Sequence, residues 1–494
     1  MRSRFGPVLV AAAMASLLVA GVAGAATPPM TGAWARVGPA APLLMDVGAG
    51  YGARFAADGR LYVYGAFADA CGDPTADAIV VYDPATGDCH GLGSNGAGDG
   101  AFAGGSINAI AWVNGVLFVG GLFTGAAGVS GIDYLAAWNG TAWSGRGKVT
   151  GEVMALASRA GTLYVGGSFT SAGNHSGFDH IAALTGTTWS AVGFPGDVNQ
   201  PVTAIAAPPD GRVFIGGYFQ DAGGDAAADL IAVSDGVTGW KALDESQTGV
   251  HNGHVRAIAV AGTRVVFGGE FSDLYGDPLA DQIIEWTGAA WKHLGPNASK
   301  TDGALNSYLP GEVPVRDISL YGSMVVVGGD FYSALGNASL TGVAAWNGSA
   351  WLALGSPGTL WGKVRDVEII GRTLYVAGTF NTMGGVPGAN GIAAFGLPAA
   401  PSVPRSLAGT SGAKKVTLTW AAPATTNGSA VTDYIIEYRK KGTTAWKTFA
   451  DGVKTTRSAV VTGLTSGTTY ELRVRAKNAW GTGATSTVLV KKAG

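Results

Sequence analysis

One short pattern constrains this chain more than any other feature: an apolar triplet, a pair of small residues, a variable residue and a phenylalanine. It occurs seven times, ending on Phe67, Phe123, Phe169, Phe219, Phe271, Phe331 and Phe380. The copies recur about every 50 residues, a period that marks an array of small units rather than one large core. Five copies keep a glycine pair (Gly120-Gly121, Gly166-Gly167, Gly216-Gly217, Gly268-Gly269, Gly328-Gly329). The first has Tyr64-Gly65 and the last Ala377-Gly378 in its place.

Each unit carries four short apolar runs, clearest between residues 153 and 193, where they fall at 153–157, 163–167, 180–184 and 189–193. Runs of this length bounded by Gly, Asn, Asp and Thr read as strands. Tight turns such as Asn139-Gly140, Asp235-Gly236 and Asn347-Gly348 join the third run to the fourth, as hairpins require. The expectation is an all-β chain whose first part is a seven-bladed β-propeller of four-stranded sheets. The seventh unit stops after residues 391–395 without a fourth run of the Trp-x-x-Val/Leu-Gly kind. That run stands instead at Trp34-Ala35-Arg36-Val37-Gly38, ahead of every unit. Residues 32–38 are therefore expected to close the last blade, removing two unpaired sheet edges.

The glycine doublets with their Phe, together with Trp34, Trp143, Trp189, Trp240, Trp291 and Trp351, resemble the kelch family and galactose-oxidase-like propellers. They are more similar still to fungal cortical polarity-marker propellers and their secreted bacterial relatives. The resemblance covers about residues 32–397 and implies architecture alone. Copper-radical oxidases with related propellers use a Cys crosslinked to a Tyr. Here Cys71 and Cys89, the two cysteines of the chain, fall in one repeat and are expected to bond to each other.

After a proline-rich linker at 398–403, residues 404–494 alternate as half-buried strands do. Trp420 and the stretch from Leu464 to Tyr470 resemble a fibronectin type III domain, an immunoglobulin-like β-sandwich. The resemblance implies a core role for Trp420 and a corner contact for Tyr470. Charge divides between the two parts. Residues 401–494 hold 14 Lys and Arg against 4 Asp and Glu, while residues 26–400 hold 16 against 30. The basic part suits an anionic surface. The chain as a whole is at −2, which removes the electrostatic reason to expect nucleic acid.

Residues 1–25 place Arg2 and Arg4 before an apolar run and Ala23-Gly24-Ala25, the order of a cleaved secretory signal. The expected product is a secreted or cell-surface protein, monomeric and not inserted in a membrane. Its expected role is binding or adhesion to an extracellular glycan or surface protein. The alternative is a secreted carbohydrate-active enzyme, whether hydrolase, lyase or oxidase.

In a propeller the second-to-third-strand loops and the blade connections share one face, and here these are the long segments, so the ligand is expected there. Candidate binding residues on it are His251 and His254, three apart in the fourth-to-fifth connection, and the aromatics Trp361, Tyr275 and Phe194. Three of the loops repeat a carboxylate register: Asp69, Asp73 and Asp77; Asp221, Asp225 and Asp229; Asp273, Asp277 and Asp281. Such oxygens suit Ca2+, the one candidate cofactor. A repeated turn capped by Asp gives the same spacing. No Gly-x-Ser-x-Gly, His-Glu-x-x-His or phosphate-loop motif is present.

Overall fold

The structure, a computed structural model, describes residues 33–37, 49–56, 58–102, 104–194, 197–236, 239–245, 252–296, 303–306, 314–334, 340–355 and 362–494. Residues 1–25, expected from the sequence to be a secretory signal, lie outside them. The chain is all-β. Among the described residues its first part contains seven four-stranded antiparallel sheets. In the third, Val153–Arg159, Thr162–Gly167, Ile181–Thr185 and Thr188–Ser190 pair in sequence order. The seventh takes Val364–Ile370, Thr373–Gly378 and Ile392–Gly396 from one end of the region and Trp34–Arg36 from the other. Trp34 pairs with Phe395 and Arg36 with Ala393.

Apolar faces of adjacent sheets meet in separate cores. Tyr64, Ile79, Ile107 and Val119 pack between the first and second sheets, and Leu354, Val364, Val376 and Phe395 between the sixth and seventh. A further core joins Ala377 and Ile392 of the seventh sheet to Ala53, Leu61, Val63 and Val80 of the first, so the order of contacts is cyclic. The glycine pair makes this spacing attainable. A Cβ on Gly120 would overlap Val153 of the next sheet, and one on Gly121 the Ser106 carbonyl of its own. All seven motif phenylalanines are buried.

The fourth strands carry a second device. Trp143, Trp189, Trp240, Trp351 and Trp34 each donate an indole N–H to a carbonyl of the preceding sheet, at Leu92, Arg146, Val192, Leu294 and Leu354 respectively, over 2.6–2.9 Å. In the first sheet the equivalent position is Cys89, which opens the fourth strand Cys89–Gly91. It is bonded to Cys71 in the turn between the second and third strands. A bridge closing a loop of this size adds about 3 kcal/mol on a chain-entropy model. It ties strand to turn where Tyr275 and Trp291, 4.7 Å apart, do so by ring contact in the fifth sheet.

The second part is a β-sandwich. One sheet contains Arg405–Gly412, Lys415–Ala421 and Ser458–Val461, and the other is built on Asp433–Lys440 and Thr469–Asn478. Trp420 lies in its core against Tyr434, and the Tyr470 hydroxyl accepts from the Thr465 N–H at 3.0 Å. Residues 398–403 are held to the sandwich rather than hanging as a spacer. Asn478 Nδ2 donates to Ala399 O, Asn427 Nδ2 to Ala400 O, and Ser402 N to Thr425 O. Arg372 of the seventh sheet also donates to Asn427 Oδ1 at 2.9 Å. No helix among the described residues is long and apolar enough to cross a membrane.

Candidate functional site

The first strands of the seven sheets converge on a cavity of about 440 Å3. Six of these strands break register with their partner near the start, between Gly50 and Gly52, Ile107 and Ala109, Val153 and Ala155, Val202 and Ala204, Val255 and Ala257, and Val364 and Asp366. Such bulges re-aim the extra side chain. Asn108, Met154, Thr203, Arg256 and Arg365 occupy bulge positions, and Arg316 stands at the corresponding place in the sixth sheet. All six line the cavity. The bulges oppose the glycine pairs, where the second strands end, so the cavity lies toward the second-to-third loops.

Below the bulge layer an ionic network crosses from the first sheet to the sixth and seventh. Arg54 Nη1 lies 2.6 and 2.7 Å from the two Asp366 oxygens and 3.2 Å from Glu368, and Nη2 lies 3.9 Å from Asp317. Backbone N–H groups complete it, Ala53 donating to Asp366 and Val367 to Asp317. Burial, and then the charge of Asp366, push the Asp317 carboxyl well above its usual range. Burial also raises Glu368 against the pull of Arg54. For Arg54 the loss of water is outweighed by Asp366, Glu368 and Asp317, which hold its charge firmly.

Nearer the mouth, Arg316 makes a two-pronged contact with Asp330 at 2.8 and 2.6 Å, and Lys363 reaches the same carboxylate at 3.3 Å. Burial alone would raise Asp330, but the two cations hold it below the usual range. Arg256 donates Nη2 to the Tyr218 hydroxyl at 2.8 Å with its guanidinium 5.5 Å above that ring, while its buried Nε has no partner. On the opposite wall Asn108 donates to Glu152 and to the Val153 carbonyl, and Thr203 to the Val255 carbonyl.

The residues marked from the sequence fall elsewhere. His251 and Trp361 lie outside the described residues. His254 is not in the fourth-to-fifth connection, where the sequence places it: it lies in the strand Asn252–Ala261, 6% exposed and stacked on Tyr218 at 4.3 Å. Its Nε2 lies 3.8 Å from Glu270 without a hydrogen bond. Burial, then Arg256 and Arg316, push its pKa down to about 3. An unfolded histidine titrates near 6.5, so between these values the unfolded chain holds the extra proton and stability falls on acidification, by about 1.4 kcal/mol per pH unit. The variant His254→Gln is expected to flatten the fall in melting temperature between pH 6.5 and 3. Parallel curves for the two proteins would overturn the assignment.

Tyr275 packs on Trp291 with a left-handed backbone (φ 56°) and does not line the cavity. Phe194 is 63% exposed in the connection to the fourth sheet. The regular aspartate spacing goes with a repeated capped turn, the second of the two readings the sequence offered. Asp69, Asp221 and Asp273 take left-handed backbone and donate their N–H groups to Asp77, Asp229 and Asp281 at 2.7–3.0 Å. Asp73, Asp225 and Asp277 accept from the N–H two residues on. Their second oxygens meet Gly91 N, Ala242 N and His293 Nδ1 respectively. The nine carboxylates are parts of one repeated turn. Among the described residues no three His, Cys, Asp or Glu side chains are grouped to hold a metal.

Sequence reasoning missed Arg54, Arg256, Arg316, Arg365, Asp317 and Asp366. A signal exists in a strict superposition of the repeats: a polar residue recurs at one phase of an otherwise apolar run, in Asn108-Ala-Ile, Thr203-Ala-Ile, Arg256-Ala-Ile, Arg316-Asp-Ile and Arg365-Asp-Val.

Residues 402–492 match the fibronectin type III domain family, and the sandwich is such a domain. Solved structures similar to it include titin kinase with its flanking domains, 28% identical over 19% of this chain and 17% of that one (TM-score 0.18). The FN5 domain of Drosophila Lar is 26% identical over 19% and 96% (TM-score 0.16), and titin module A71 from human cardiac muscle is 33% identical over 18% and 88% (TM-score 0.17). The chain spans about a sixth of the length of the titin and twitchin kinase regions it matches.

Proposed function

We propose that the seven sheets form a closed, kelch-like, seven-bladed propeller, and that the protein is secreted and binds a glycan or protein ligand through the long-loop face of that propeller. Supporting the closure are the cyclic order of the apolar cores and the pairing of Trp34–Arg36 with the seventh sheet. The observation that carries the binding role is the cavity toward that face, walled by side chains re-aimed at equivalent bulges. A rigid scaffold presenting convergent polar groups in a concavity of this size is the usual form of a small-ligand site. Fibronectin type III domains are typical of extracellular and surface proteins, and the basic one here serves as an attachment module.

A second reading, a carbohydrate-active enzyme, draws on one feature: the Asp317 and Asp366 carboxylates stand beside each other with unequal surroundings, as acid and base pairs do. A glycan array run beside product analysis on the same polysaccharides separates the two. The expected result is retention of a ligand without turnover. Product formation that disappears in Asp317→Asn would replace the binding reading with the enzymatic one.

A further inference from the structure

We infer that the cavity recognises an oxyanion, the carboxylate or sulfate of an acidic sugar, and that Arg256, Arg316 and Arg365 form its anion subsite. This deepens the binding role proposed above and rests on it.

The argument begins with placement. Three consecutive sheets, the fifth, sixth and seventh, deliver a guanidinium at the same structural position, while the second, third and fourth deliver Asn108, Met154 and Thr203. At this position one side of the cavity is thus cationic, while the other carries no cation and has the Glu152 carboxylate beside it. Guanidinium is the side chain best shaped for oxyanions, because its N–H groups form a planar fork that matches two oxygens of one group.

Local neutralisation is incomplete at Arg256 and at Arg316. Among the charged groups lining the cavity are four guanidiniums and three carboxylates, Glu152, Asp317 and Asp366, and Arg54 is itself taken up by Asp317 and Asp366. Asp330 answers Arg316 but is shared with Lys363. Arg256 is the independent pointer. Its one hydrogen bond in the structure goes to a neutral phenol, and its Nε is buried with no acceptor. A buried donor without an acceptor is unfavourable, the more so when charged, and a bound oxyanion supplies the acceptor.

The remaining lining fits a sugar rather than a simple ion. The cavity volume suits about one or two rings. Asn108 and Glu152 offer hydrogen-bonding groups for hydroxyls on the wall opposite the arginines, and Ile110, Leu156, Ile205 and Ile258 among the lining residues offer apolar contact to the C–H faces of a ring.

The test is calorimetric titration of the full chain with three tetrasaccharides, of galacturonic acid, sulfated galactose and unmodified galactose, with sodium acetate and sodium sulfate as simple-ion controls. The acidic sugars are expected to bind about tenfold or more tightly than the neutral one, and Arg256→Gln and Arg365→Gln to remove that preference. Whichever acidic sugar prevails distinguishes carboxylate from sulfate. Melting curves accompany each variant; should Arg256→Gln fail to fold, Arg256→Lys, which keeps the charge and loses the fork, is expected to give an intermediate loss. Equal affinity for acidic and neutral sugars, or an acidic preference that survives both Gln variants, would overturn the anion subsite and leave the long-loop face standing. Acetate or sulfate binding as tightly as the sugars would overturn the saccharide assignment. No binding of any of the three sugars would overturn the inference, and the wider reading would fall only with an empty array and no protein ligand.

Discussion

Replacing Asp366 by alanine is expected to lower the stability of the protein by about 3–5 kcal/mol, the usual result of removing one partner from a buried ion pair. Asp366 is 4% exposed and receives the Ala53 N–H and the Arg54 guanidinium. Its loss leaves the Ala53 N–H without its acceptor and Arg54 with only the more distant Glu368 and Asp317, at the junction where the first sheet meets the seventh. Asp366→Asn keeps an acceptor for Ala53 and should cost less. The double variant Arg54→Met with Asp366→Leu should recover much of the loss, since apolar replacement of a whole buried pair is often neutral. Urea unfolding at pH 7 measures all three. A loss under about 1 kcal/mol in Asp366→Ala would show that the network is not structural.

A chain that starts at residue 38 is expected to lose a similar amount, about 3–5 kcal/mol, the range for emptying a large aromatic site, and to aggregate on heating. Trp34 lies 5.0 Å from Phe395 and donates to the Leu354 carbonyl, and Val37 is buried in the core between the seventh and first sheets. Removing them also exposes Ile392–Gly396 as a bare edge with its ladder groups unpaired. Melting followed by light scattering reads both effects. An unchanged melt would remove the structural role assigned to this strand.

What was legible in the sequence is what repeats locally. The four runs between 153 and 193 coincide with four strands to within a few residues, and the two cysteines are bonded. Trp420 and Tyr470 revealed the fibronectin type III sandwich because each sits at a fixed place in a strand. The cavity was not legible from any single repeat, because its partners are remote: Arg54 and Asp366 are 312 positions apart, and a bulge shifts a side chain without altering composition. The aspartate turns left two readings open for the opposite reason. Spacing alone does not distinguish an oxygen that binds an ion from one that accepts a backbone N–H. His254 misled because the fifth sheet's first strand, Asn252–Ala261, starts earlier than the apolar pattern indicates.

The pairing of Trp34–Arg36 with Ile392–Gly396 also sets a schedule for biogenesis. A strand made at the outset must wait for a partner more than 300 residues downstream, and the entropy of closing so long a span has to be met before the joint rewards it. Until then Leu61, Val63 and Val80 lack Ala377 and Ile392, which later cover them. The newborn molecule is therefore most open to proteases and to wrong partners while its seventh sheet is still unfinished, however stable it becomes afterwards.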